Sequence, residues 1–213
     1  MANLIADMSP RKAAVVVGIA ILAMFVLAVA VDELVLPNFI GPGDTAALAG
    51  DIQANKARFG VAVVGYLIIL LLDAAIAVAL YVILKPANKV LASLTAAFRL
   101  LYAEILVISV FALVLQFIDA YIYGTVKLIG YVFFTAHILV LGYVVVKSGY
   151  MPKSLGVLLI IASLCYVLLL FGKSLVPEKL LPIFVVPAAG AELLLGICLL
   201  WKRSKIPAME ASN

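Results

Sequence analysis

Charge is scarce in this chain. Of its 213 residues 12% are Asp, Glu, Lys or Arg, and 67% are hydrophobic. Soluble domains carry about twice that share of charge. The shortage excludes a cytosolic enzyme and a nucleic-acid module, and no nucleic-acid partner is expected. Histidine occurs once, at His137. A haem held by two histidines of one subunit and a multi-histidine zinc hydrolase are therefore excluded. Cysteine occurs twice, as Cys165 and Cys198, with no CxxC pair, so a redox motif and a disulfide scaffold are absent. Their depths, roughly 20 Å and 5 Å above one membrane face, put them beyond disulfide reach. Phosphate-binding loops and dinucleotide fingerprints are missing. Ser109 and Ser163 lack the glycine context of an intramembrane nucleophile, and no aspartate pair suits an aspartyl protease. No catalytic residue, metal or cofactor is assigned.

Long apolar runs are what the chain has instead. They predict an all-α integral membrane bundle of six transmembrane helices in one domain, 1–213, with spans near 10–36, 59–84, 98–118, 125–146, 152–171 and 180–201. No period-2 alternation supports a β-barrel. The first run is too long, and too poorly followed by a cleavage site, for a signal peptide. Residues 44–58 are weakly amphipathic and predict an outer interfacial helix. Pro187 predicts a break or kink in the sixth span.

Six spans leave both termini on one side. That side carries Arg11, Lys12, Lys85, Lys89, Arg99, Lys147, Lys153, Lys202, Arg203 and Lys205, ten cations against five on the other. The positive-inside rule makes it cytoplasmic, so the topology is N-in and C-in. Trp201 and Tyr150 read as interface anchors.

Four ionisable residues stand deep inside spans: Asp73, Glu104, His137 and Glu192. Helix rise places them roughly 9–16 Å from the cytoplasmic ends, in one slab of the membrane. Intramembrane charges face the bundle interior, pair, or serve function. Arg99, Tyr66, Tyr81 and Gln116 are candidate supporting groups. The small residues Ala188, Ala189 and Gly196 flank Glu192 and allow a close helix approach. Such a cluster is read in several ways: an interhelical hydrogen-bonded tie, a site for a small polar or cationic ligand or a lipid headgroup, a proton or cation relay, or a metal set. The last has no supporting spacing.

Four segments carry a resemblance. They are Ile83-Leu84-Lys85-Pro86-Ala87-Asn88-Lys89, Ala97-Phe98-Arg99-Leu100, Lys147-Ser148-Gly149-Tyr150-Met151-Pro152-Lys153-Ser154-Leu155-Gly156, and Gly190-Ala191-Glu192. Together they resemble a bacterial family of multi-pass membrane proteins catalogued as a domain of unknown function. The resemblance implies about six spans and a bacterial inner membrane, and sets Asp73, Arg99 and Glu192 in family-typical segments. It supplies no catalytic residues. The expected role is a non-enzymatic membrane binding or accessory protein. A proton- or cation-coupled transporter and a lipid-directed membrane enzyme stand as alternatives. Membrane lipid and a second copy of the chain are the expected partners.

Overall fold

In hydrocarbon every backbone N–H and C=O needs a partner, and an α-helix supplies one within the segment itself. The computed structural model describes residues 8–31, 50, 52–115, 118, 120–171, 177–202 and 206. These hold six long helices and no strand: α1 Pro10–Ala28, α2 Lys56–Leu84, α3 Lys89–Val114, α4 Ala120–Lys147, α5 Lys153–Phe171 and α6 Pro182–Lys202. A 3-10 turn, Glu178–Leu180, leads into α6. All six helices are long and apolar enough to cross a membrane.

Local sequence sets the helix boundaries. Ser9 caps α1 by accepting from the Lys12 N–H, with Pro10 in the first turn. Asn88 caps α3 the same way, accepting from the Leu91 N–H at 2.9 Å. The hydroxyls of Ser93 and Thr95 then donate back to the Lys89 and Leu91 carbonyls. The polar stretch is thus absorbed into the helix, and α3 begins nine residues ahead of Phe98. By contrast, α6 runs unbroken through Pro187. The proline stands five residues after the helix start, where it removes a single hydrogen bond. Of the expected interfacial helix, residues 50 and 52–54 are helical and Lys56 already belongs to α2; 44–49 and 51 lie outside the described residues.

Each helix packs on its chain neighbours, and α1 closes on α6, so the six form a ring. At the near end, where α1 starts and α6 finishes, the ring is solid. Val17, Leu80, Ala92, Leu141, Leu159 and Leu195, one from each helix, are fully buried there. Two glycine contacts draw the helices together. A Cβ on Gly18 would stand 2.9 Å from the Gly196 carbonyl oxygen, and one on Gly142 2.8 Å from that of Gly156. Towards the far end the ring opens around a central space.

Tyr150, in the turn between α4 and α5, fastens the near end. Its hydroxyl donates to the Ile83 carbonyl at 2.6 Å, a last-turn group of α2 with no partner inside its own helix. Tyr150→Phe should cost about 1 kcal/mol. Burial pushes the phenol up to about 12 from its ordinary 10.0. The folded state therefore holds this proton more tightly than the unfolded chain, and the contribution is lost as pH rises from 10.0 through about 12. A detergent unfolding series across that range should show the loss, and Tyr150→Phe should remove that part of it. An unchanged alkaline slope in the variant would sink the assignment.

Candidate functional site

Arg99 lies ten residues into α3, roughly 15 Å from the helix start, and is fully buried. A guanidinium carries five N–H donors in a fixed fork and accepts nothing. Its donors make four hydrogen bonds, and one further ion-pair contact adds to them. The Nε–H donates to Asp73 Oδ1 at 2.8 Å, and Nη2 stands 2.7 Å from the same oxygen. Nη1 donates to Glu192 Oε1 at 2.8 Å and faces His137 Nε2 at 3.1 Å. The remaining Nη2 hydrogen points to Met24 Sδ at 3.7 Å. The ring of Phe134 lies 5.6 Å from the guanidinium carbon. One side chain on α3 therefore ties α1, α2, α4 and α6.

The partners define the imidazole. His137 Nδ1 is 2.8 Å from the Thr95 carbonyl, which can only accept, so Nδ1 carries the hydrogen. Nε2 then offers its lone pair to Arg99. The ring is neutral and already engaged on both sides. Two carboxyl groups share one guanidinium. Asp73 Oδ2 is buried and has no hydrogen-bond partner. An orphaned buried acceptor is costly.

This cluster is the floor of a cavity of about 520 Å³ on its far side, to which all six helices contribute. The volume lies in the range of small-molecule sites. Asp73 and Glu192 both line it. One wall is aromatic: Tyr102, Tyr131, Phe134 and Tyr166 stand with ring centroids 4.8–6.5 Å apart. Towards the far end Lys127 donates to the Tyr66 hydroxyl at 3.2 Å, and Tyr123 donates to the same oxygen. Tyr66 is seven residues from Asp73, so this polar group sits roughly 10 Å from the floor.

Asp73, His137 and Glu192 thus meet, and Glu104 does not join them. It follows Arg99 by five residues, about 140° round the helix, and is exposed on the outer face of α3. Arg99 pairs with Asp73 and Glu192 rather than with Glu104. Tyr66 lines the cavity, whereas Tyr81 packs against the core away from it. Gln116 lies outside the described residues. Among the described residues no three His, Cys, Asp or Glu side chains are placed to hold a metal.

In the sequence Lys85, Lys89 and Arg99 read as one basic run, so Arg99 stands with the near-end cations and only as a supporting group of the site. The signal that places it mid-helix is Asn88, a good N-cap ahead of an apolar stretch. The aromatic wall and Lys127 had no comparable signal.

The family described as Domain of unknown function (DUF4386) matches residues 16–118 and 111–202. A relative from the archaeon Archaeoglobus fulgidus, named only as an uncharacterized protein, is 40% identical over 106 residues. That match takes in 50% of this chain and 63% of the relative, so the chain spans less than two thirds of the relative's length. The relative is archaeal, so the likeness is not confined to bacteria. No solved structure matches.

Proposed function

We propose, from the premise that the chain belongs to the Domain of unknown function (DUF4386) family, that it is a non-enzymatic membrane binding protein. Its site is the cavity above Arg99, and its ligand is a small polar or cationic molecule or a lipid headgroup. The observation that carries the reading is Asp73 Oδ2, a buried acceptor without a partner on a residue that lines the cavity. A purely structural tie would satisfy both carboxylate oxygens. Here the guanidinium holds both acids in place and leaves one acceptor over.

Two features favour binding over chemistry or passage. The hydroxyls of Ser109 and Ser163 donate to carbonyls of their own helices and are not presented to the cavity. The near half of the ring is filled by buried side chains, which suits a site reached from one side better than a conduit. The bias of basic residues puts the near end in the cytoplasm, with the cavity in the outer half of the bilayer. A prokaryotic cytoplasmic membrane, the bacterial inner membrane in the first instance, is the proposed location.

Native mass spectrometry of the protein, extracted gently from its own membrane, tests this. A reproducible adduct should accompany the chain and be lost in Glu192→Gln but kept in Glu104→Gln. A bare mass in both wild type and Glu192→Gln would reduce the cluster to a structural tie.

A further inference from the structure

The geometry points to an organic amine with an apolar body as the ligand, entering from the lipid between α1 and α6. This rests on the binding reading and names its chemistry.

The floor comes first. Two acids, Asp73 and Glu192, share one guanidinium, so with both ionised one negative charge is left over inside the membrane. Such a charge is costly in that medium unless it is paired. Asp73 Oδ2 awaits a donor, and Glu192 keeps part of its side chain open to the cavity. An ammonium supplies both donors and the missing charge. A carboxylate or phosphate would meet two like charges instead. The walls agree with this choice. Tyr102, Tyr131 and Tyr166 place aromatic rings beside the acids, and ring faces attract cations. Lys127 opposes a cation only at the far end, roughly 10 Å away, where the ligand's apolar body would lie.

The route follows from exposure. Cavity residues on α2 and α3, such as Ile69 and Leu106, are buried. On α1 and α6 the deep cavity residues Ile21 and Glu192 are buried as well, but several further out are not. Phe25, Val29, Val185 and Val186 line the cavity and yet are 39%, 42%, 48% and 75% exposed. These side chains border the cavity and the membrane at once. Below them α1 and α6 are clamped at Gly18 and Gly196, so the opening is confined to the far half of the seam. Gly190 lies in that opening, where a Cβ would meet nothing within 4 Å.

The test uses the full chain reconstituted in phosphatidylcholine vesicles, with dodecylamine, dodecanol and dodecanoate as probes of equal length. Dodecylamine should bind saturably, one per chain, at least ten-fold tighter than either other probe. Glu192→Gln should weaken it ten-fold or more, and Glu104→Gln should leave it unchanged. Gly190→Trp, which fills the seam and leaves both acids in the sequence, should slow association at least ten-fold. Equal or tighter binding of dodecanol or dodecanoate would overturn the amine while leaving the binding site standing. Dodecylamine binding to Gly190→Trp at the wild-type rate would overturn lateral entry. Failure of all three probes, together with no retained adduct from the native membrane, would overturn the binding reading as well.

Discussion

Arg99→Met should cost about 3 to 5 kcal/mol of stability, the range for removing one partner of a buried ion pair. The side chain is fully buried, and its four hydrogen bonds serve Asp73, Glu192, His137 and Met24. Methionine fills similar volume but donates nothing. Two carboxyls and an imidazole lone pair would be left in the membrane with no donor. Thermal unfolding in mild detergent should show a large loss, or little folded protein should survive extraction. Arg99→Lys should fall between, because an ammonium has three donors on a flexible stem in place of a planar fork. A companion variant separates stability from binding. Asp73→Leu, Arg99→Met and Glu192→Leu together replace the three chargeable groups by apolar ones and leave only the His137 Nε2 lone pair unpartnered, an exchange of buried charges that is often neutral. It should recover most of the stability and still retain no ligand. Wild-type stability in Arg99→Met alone would show that the ring is held by its apolar contacts and not by this residue.

The reach of the sequence is clear from these residues. Six spans were legible because hydrocarbon demands about 20 apolar residues per crossing, and the runs are unmistakable. Depth was legible too, since helix rise is fixed; it drew Asp73, His137 and Glu192 to one level. Azimuth was not. A soluble helix shows its buried face by an apolar stripe, but here the lipid side is as apolar as the core, so the stripe vanishes. Glu104 shares the membrane slab with the others and points the opposite way for that reason. Arg99 was hidden by a boundary. A cation ten residues after Lys89 looks like loop until Asn88 is recognised as a cap. The aromatic wall draws its rings from α3, α4 and α5, and only packing brings them together.

Gly156→Ala should destabilise the protein by about 1–3 kcal/mol, the usual range for overpacking, although alanine is the better helix former by about 1 kcal/mol. The added Cβ would stand 2.7 Å from the Gly142 carbonyl oxygen and 2.7 Å from the Val146 nitrogen. Both are backbone atoms, so no rotamer change relieves the contact and the helices must part. Gly142→Ala meets the mirror problem at the Gly156 oxygen, 2.8 Å away. These two glycines are each seven residues from Gly149, which turns the chain at φ +75°. That value lies in the left-handed region that glycine favours. The hairpin from Gly142 to Gly156 is thus specified by backbone approach on both arms and by conformation at its tip. Tyr150 and the buried Met151 seat it against the bundle. The hairpin also fixes α4 against α5, and so sets His137 and Tyr166 on their sides of the cavity. Gly60→Ala, Gly124→Ala and Gly190→Ala meet nothing within 4 Å and should gain about 0.5–1 kcal/mol from propensity. Unfolding measured side by side should order the set, with Gly156→Ala and Gly142→Ala below wild type and the other three at or above it. A Gly156→Ala protein as stable as wild type would mean that α4 and α5 cross with room to spare.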